Sequence, residues 1–126
     1  MAEFSTTIKD KGNVSVIYLN GYLDAHTAPQ LENNFSELID ESKYNIVVNF
    51  EDLNYISSAG LGVFMAYIEK IRENEGDIKL SAMSEKVYNI FDLLGFPLLY
   101  EIFKSEDEAI NKFKETGNVE DKKQNR

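Results

Sequence analysis

Segments with strand-like spacing of hydrophobic and polar residues take turns along the chain with segments of helix-like spacing. These segments predict five strands and four helices. Strand-like segments either alternate polar and apolar residues or are continuously apolar, whereas helix-like segments place apolar residues three and four apart. The predicted strands are Phe4–Ile8, Val14–Asn20, Tyr44–Phe50, Asp77–Ala82 and Leu99–Phe103. The predicted helices run from Thr27 to about Ser42, from Ser58 to Asn74, from Ser84 to just before Gly95, and from Ser105 through Phe113.

Capping residues mark the start of three of these helices. Thr27 and Gln30 have the spacing of a capping box, as do Ser105 and Glu108, and Ser84 is a single cap. The third helix has apolar residues at the spacing of one helical face, and they are Val87, Ile90, Phe91 and Leu94.

The order of these elements predicts one α/β domain with a mixed sheet of about five strands. The first two strands flank a three-residue turn, residues 11–13, and are expected to form an antiparallel hairpin. The later strands alternate with about four helices, so they are expected to be largely parallel. Four helices are too few to cover both faces fully, so one face is expected to be partly open. The domain is predicted to span residues 1–116, and the polar tail, residues 117–126, is predicted to be disordered.

The composition removes several classes of function. The chain has no cysteine and one histidine, His26, which excludes disulfides, thiolate catalysis and histidine-rich metal sites. Its 13 basic and 22 acidic residues give a net charge of −9, which disfavours nucleic acid and anionic membranes as partners. Neither a signal peptide nor an apolar run long enough to span a bilayer is present in the sequence, so we expect a cytoplasmic protein.

The motifs of nucleotide-binding proteins and hydrolases are incomplete in this chain. Residues 60–62 (GLG) lack both the lysine of a phosphate-binding loop and the third glycine of a dinucleotide fingerprint. A serine hydrolase elbow needs a glycine where Ile56 stands, and His26 is the sole candidate base for Ser58. We therefore expect no enzymatic activity, no cofactor and no metal. A weak esterase or nucleotide hydrolase using Ser58 and His26 is the enzymatic alternative.

Two consecutive serines, Ser57 and Ser58, lie where a buried strand is followed by a helix. The first N–H groups of a helix have no partner within it and carry partial positive charge. A serine hydroxyl there can cap the helix, or it can carry a phosphate that these N–H groups stabilise. A helix needs one cap, so the pair leaves one hydroxyl for another role.

The helix that follows the serines has a small apolar stripe opposite its predicted core face. Ala59, Gly62, Val63 and Ala66 form this stripe, where charged residues are usual on a surface helix. Such a stripe allows another backbone to approach closely, which favours a docking surface for a partner. The equal alternative is that it packs under the chain's own loop around Asp24.

Three segments resemble the STAS domains of bacterial anti-sigma factor antagonists. They are residues 19–24 (LNGYLD), 52–63 (DLNYISSAGLGV) and 93–96 (LLGF), and the likeness extends to about Lys114. The central segment matches the family's phosphorylation motif and places the acceptor on Ser58. It departs from the usual pattern at Ser57, where an aspartate is common, and at Ala59. Ser57 is the weaker candidate acceptor.

The resemblance implies a STAS-like mixed sheet with helices mainly on one side, and it implies a function in partner switching. The unphosphorylated protein would bind a serine kinase that is also an anti-sigma factor, and a PP2C-type serine phosphatase would reverse the phosphorylation. The free protein would be a monomer. Together with the stripe, the resemblance predicts partner-binding residues at Asp24, Ser57, Ser58, Ala59, Gly60, Gly62, Val63 and Ala66. The alternative is a constitutive docking subunit of a transporter or a stressosome-like assembly, with Ser58 only a helix cap.

Overall fold

The computed structural model describes residues 3–124, with side chains for residues 3–115, and contains a five-stranded sheet with four α-helices. The strands are β1 (Phe4–Lys11), β2 (Val14–Leu23), β3 (Asn45–Ile56), β4 (Asp77–Ser81) and β5 (Ile102–Phe103). The helices are α1 (Ala28–Asp40), α2 (Ser58–Glu73), α3 (Glu85–Leu93) and α4 (Glu106–Gln124), and a 3₁₀ turn, Phe96–Leu98, lies between α3 and β5.

The sheet is mixed, with its strands in the order β1-β2-β3-β4-β5. β1 and β2 form an antiparallel hairpin, and the other neighbours are parallel. This architecture confirms the predicted fold class. The last helix was predicted through Phe113, and α4 is described to Gln124. The disorder predicted for residues 117–126 and the domain limit at residue 116 stay predictions, and residues 125–126 lie outside the described residues.

Helices α1, α2 and α3 pack on one face of the sheet over the larger hydrophobic cluster. At its centre Phe35, Phe50, Phe64 and Phe91 are fully buried. The Phe50 ring lies 5.7 Å from that of Phe64 and 5.4 Å from that of Phe91, measured between centroids. Because these rings come from the sheet and from three helices, their contacts fix the helices to one face of the sheet.

Helix α4 packs on the opposite face over a smaller and separate cluster. Val14, Val16 and Val47 of the sheet contact Ala109 and Ile110 of α4 there. One face of the sheet is therefore partly open, as expected, because α4 covers only some of it. At the other end of this face the side chains of Tyr22 and Tyr55 are 43% and 41% exposed, with ring centroids 5.9 Å apart.

Each strand differs from the prediction at one end or both, by a single residue in β4, and β1 runs to Lys11 and not only to Ile8. β2 continues past Asn20 to Leu23, and β3 continues past Phe50 to Ile56, because these two extensions pair with each other. The register of the pairing between β2 and β3 shifts at two places, as it does at β-bulges. β5 is shorter than predicted, since the N–H groups of Leu99 and Tyr100 both donate to the Phe96 carbonyl at 2.8 Å and the hydroxyl of Tyr100 donates to the Phe64 carbonyl at 2.7 Å.

The three predicted cap positions are correct, but only two of them carry a side-chain capping bond. The hydroxyls of Ser84 and Ser105 accept from the N–H groups of Val87 and Glu108, each at 3.2 Å. Thr27 is the N-cap residue of α1, but the capping bond predicted for it is absent. Its backbone is already helical, and its hydroxyl donates to the Tyr22 carbonyl.

The predicted core position of Leu94 is also wrong, because this side chain is 57% exposed. α3 ends at Leu93, and Gly95 then adopts a left-handed backbone with φ of 79°. The helical period that placed Leu94 inward therefore stops one residue too early to bury it.

Candidate functional site

The candidate site lies at the carboxyl ends of β2 and β3, where α2 begins. The N–H of Ser57 donates to the Leu23 carbonyl at 2.9 Å, which joins the start of α2 to the end of β2. The N–H of Leu61 donates to the Ser57 carbonyl at 3.0 Å and forms the first helical turn. The junction is thus anchored by two backbone hydrogen bonds, one through the N–H of Ser57 and one through its carbonyl.

Ser57 is the residue that caps α2, and the possibility that Ser58 is the cap is wrong. Ser57 has an extended backbone, and its hydroxyl accepts from the N–H of Gly60 at 3.3 Å. Ser58 is the first helical residue, and its side chain is exposed. The two serines therefore have different roles, with one hydroxyl engaged in the fold and the other directed at solvent.

The electrostatics of α2 favour an anion near Ser58. The first turn of the helix contains no acidic residue, while its last turn contains Lys70 and Arg72. Cations at the carboxyl end complement the helix dipole there, whereas the positive amino end has no carboxylate of its own in that turn. A phosphate on Ser58 would lie beside N–H groups that have no partner within the helix.

Only part of the predicted stripe reaches the surface. Ala59, Gly62 and Ala66 are exposed, but Val63 is 4% exposed and belongs to the larger core cluster. The solvent-facing position expected for Val63 is therefore wrong. Met65, which was not among the predicted site residues, is 47% exposed on the same helix.

Gly60 is buried and serves packing, so its predicted place on the docking surface is wrong. A Cβ atom added at Gly60 would lie 2.8 Å from Cγ of Leu23 and 3.0 Å from Cγ1 of Ile56. An added Cβ at Gly62 would meet nothing within 4 Å. Gly60 thus lets α2 approach the strand ends closely, and Gly62 leaves the exposed surface of the helix without a side chain.

Asp24 follows directly on Leu23, and the structure places it beside the junction, partly buried. Its Oδ1 accepts from the N–H groups of His26 and Thr27 at 3.0 and 3.1 Å. This carboxylate shapes the loop before α1. The loop does not cover Ser58, whose side chain is exposed.

The geometry gives no support to the hydrolase alternative. His26 is exposed, and among the side chains of residues 3–115 no hydrogen bond joins its ring to Ser58. In the same part of the chain no group of three or more acidic or histidine side chains is arranged to hold a metal ion. Within the described residues, none of the helices has the length and apolarity needed to cross a bilayer.

The sequence matches the family model described as STAS domain over residues 5–109. The chain belongs to the STAS domain family. The anti-sigma-B factor antagonist of Staphylococcus aureus is 27% identical over 97 residues, which cover 77% of this chain and 88% of that protein. The family match and this relative agree with the resemblance to STAS domains found in the sequence.

Solved STAS structures have the same fold. An anti-sigma factor antagonist from Mycobacterium paratuberculosis superposes with a TM-score of 0.80 and 24% identity, covering 87% of this chain and 93% of that one. The Bacillus cell fate determinant SpoIIAA in its phosphorylated form superposes with a TM-score of 0.69 and 24% identity, covering 86% and 99%.

Proposed function

We propose that this chain is an anti-sigma factor antagonist whose binding to a serine kinase, itself the anti-sigma factor, is controlled by phosphorylation of Ser58. The unphosphorylated form occupies the kinase, and the phosphorylated form releases it. A PP2C-type serine phosphatase restores the first form. The observation that carries the proposal is the exposed hydroxyl of Ser58 at the start of α2, beside a neighbour that already caps the helix.

The proposed chemistry takes place on one oxygen atom. Ser58 Oγ attacks the γ-phosphorus of ATP, the new O–P bond forms as the bond to the β-phosphate oxygen breaks, and ADP leaves. The hydroxyl proton passes to a base on the kinase. In the reverse process water attacks the phosphorus, inorganic phosphate leaves, and the serine regains its proton. The chain itself supplies neither cofactor nor metal, and the exchange belongs to the cytoplasm, where ATP is available.

The phosphate is expected to alter binding while the fold persists. It adds about −1.5 to −2 charges at pH 7, which the amino end of α2 tolerates. In a complex the same dianion must lose its water and face the partner. A loss of about 2.7 kcal/mol in binding free energy weakens the complex roughly a hundredfold.

The proposed docking surface combines the exposed part of the α2 stripe with the junction. It consists of Ser58, Ala59, Gly62 and Ala66, with Asp24 and Ser57 at its edge. These small side chains leave the helix backbone accessible, so a partner can approach closely. We infer that the free chain is a monomer, because its net charge of −9 opposes association with itself.

The proposal is tested with a purified serine kinase of the anti-sigma factor class from the source organism, incubated with the chain and ATP. Intact-mass measurement should show one added phosphate on the wild type and on Ser57→Ala, and none on Ser58→Ala. In titrations without ATP, Ser58→Ala should bind the kinase as the wild type does. Ser58→Asp should bind it roughly a hundredfold more weakly.

An unchanged mass of the wild type after incubation, with tight binding of Ser58→Asp, would contradict the switch. That result would instead support a constitutive docking subunit. Phosphate found on Ser57 in place of Ser58 would contradict the assignment of the acceptor.

A further inference from the structure

Two exposed aromatic side chains, Tyr22 and Tyr55, lie side by side at the end of the sheet where the candidate site begins, and we call them the tyrosine pair. They are partners in the register of β2 and β3. The residues that follow them, Leu23 and Ile56, are buried in the larger core cluster. Because successive side chains of a strand point to opposite faces, the tyrosine pair projects from the face that α1, α2 and α3 leave free.

Helix α4 packs on that face but covers its other end. The buried strand residues beneath α4 are Val14, Val16 and Val47. Val16 lies six positions before Tyr22, which is roughly 20 Å along a strand. Among the atoms described for residues 3–115, neither hydroxyl of the tyrosine pair has a hydrogen-bond partner. The fold therefore leaves both rings available to another protein.

The backbone that carries the tyrosine pair is held in place on both sides. The N–H of Tyr22 donates to the Glu3 carbonyl at 2.9 Å, and a Cβ atom added at Gly21 would overlap that carbonyl. The N–H of Ser57 donates to the Leu23 carbonyl. The rings thus project from a fixed support, so little conformational entropy is lost when a partner binds them.

The tyrosine pair is close to the proposed phosphorylation site. Three residues separate Tyr55 from Ser58, and consecutive Cα atoms are 3.8 Å apart, so their Cα atoms are at most about 11 Å apart. A standard protein interface buries about 800 Å² on each partner, which is a disc with a radius of roughly 16 Å. A kinase that encloses the Ser58 hydroxyl with an interface of this size reaches the tyrosine pair.

The exposed part of α2 offers such a kinase little apolar area. Apart from Met65, the exposed side chains of its docking surface are those of Ala59, Gly62 and Ala66, which carry at most one methyl group each. Tyrosine is enriched among the few residues that dominate the binding free energy of interfaces. The tyrosine pair supplies the aromatic anchor that these small side chains lack.

We infer that the surface that docks the serine kinase continues from Ser58 onto the open face of the sheet, where the tyrosine pair inserts into an apolar pocket of the kinase. The inference rests on the proposed function and names a further part of the same docking surface. The rings do not touch the reacting oxygen, so they contribute equally to the bound state and to the transition state. Their removal should therefore raise KM and leave kcat unchanged.

The test compares the wild type with a double variant, Tyr22→Thr with Tyr55→Thr, and with Tyr88→Ala as the control. Threonine keeps a high strand propensity, and Tyr88 is 38% exposed on α3. With the purified kinase and saturating ATP, the double variant should raise KM for the chain roughly 30-fold, with kcat within about twofold of the wild type. Titration without ATP should show the same roughly 30-fold loss of affinity, and the control should change neither value.

Circular dichroism and urea unfolding establish that the double variant is folded. If it is not, Tyr55→Thr alone provides the comparison and should raise KM about fivefold. An unchanged KM, a loss confined to kcat, or an equal loss in Tyr88→Ala would overturn the inference. A dimer of the wild type that the double variant loses, measured by sedimentation, would overturn it as well.

The mass measurement on Ser58 separates this inference from the proposed function. If the wild type gains one phosphate on Ser58 and the double variant binds the kinase equally well, the inference is wrong and the switch stands. If the wild type neither gains phosphate nor binds the kinase, the proposed function is wrong and the inference is wrong with it.

Discussion

Two adjacent serines divide two roles at the start of α2. The hydroxyl of Ser57 satisfies the N–H of Gly60, and the hydroxyl of Ser58 remains exposed. The strand-to-helix junction could be predicted from the sequence, but the choice of cap could not. The choice of cap depends on the hydrogen bond from the Ser57 N–H to the Leu23 carbonyl, which determines where the helix begins. This bond joins two segments that are far apart in the sequence, so the local residue pattern does not predict it.

Because only Ser57 caps α2, alanine substitutions at Ser57 and Ser58 should affect the stability of the fold differently. Ser57→Ala removes the cap and should lower the free energy of unfolding by about 1 kcal/mol. Ser58→Ala removes an exposed hydroxyl and should change it by less than about 0.5 kcal/mol. Urea unfolding followed by circular dichroism measures both values, and equal losses for the two variants would contradict the assignment of the cap.

The two glycines of α2 predict opposite effects of the same substitution. Gly60→Ala forces a methyl group against Leu23 and should destabilise the fold by about 1–3 kcal/mol. Gly62→Ala enters open space within a helix and should stabilise it by about 0.5–1 kcal/mol. Thermal unfolding of the pair provides the measurement. A stabilised Gly60→Ala variant would show that α2 does not pack as closely as described.

At the scale of elements, a carboxylate at the start of α4 joins three parts of the fold. The Glu106 side chain accepts from Asn49 of β3 at 3.0 Å and from Lys11 of β1 at 2.5 Å. Burial opposes the charged form, but the hydrogen bonds from Lys11, Asn49 and Tyr18 hold the pKa of Glu106 below its ordinary value. The ionised carboxylate therefore helps α4 to dock on the sheet.

This lowered pKa predicts how stability changes in acid. A carboxylate with a lowered pKa in the folded state stabilises the fold above its unfolded pKa, and the stabilisation is lost as pH falls through the folded value. Below about pH 4.3, the ordinary glutamate range, unfolding free energy should fall less steeply in Glu106→Gln than in the wild type. Unfolding midpoints measured at several pH values test this, with Glu69→Gln, at an exposed position on α2, as the control.

The sequence predicted the existence and type of the elements better than their ends. The extensions of β2 and β3 contain Gly21, Asp52 and Asn54, residue types that are depleted in strands. They are extended because they pair with each other. The exposure of Leu94 was missed for the opposite reason, since an apolar residue at helical spacing predicts burial unless the helix ends first.

At the scale of the whole molecule, the sheet separates two hydrophobic clusters of unequal size. The three helices on one face share the aromatic core, while α4 rests on the small cluster of Val14, Val16, Val47, Ala109 and Ile110. Local unfolding begins where few buried apolar contacts hold an element. α4 should therefore be able to detach while the rest of the domain stays folded.

Hydrogen exchange measures whether α4 opens more readily than the helices on the other face of the sheet. Backbone amides of α4 should exchange with deuterium earlier than those of α2 under native conditions, and Glu106→Gln should widen the difference. Mass spectrometry of peptides from the two helices reports both rates. Identical protection of α2 and α4 would mean that the two faces of the sheet unfold as one cooperative unit.

Helix α2 also connects the candidate site to the opposite end of the domain. Its 16 residues span about 24 Å, with Ser58 at one end and Arg72 near the other. Arg72 donates to the Asp77 carboxylate and to the Leu99 carbonyl, so this end of the helix is fixed to β4 and to the segment before β5. Because the far end is anchored in this way, we expect α2 to keep its position on the sheet when a charge is added to or removed from Ser58.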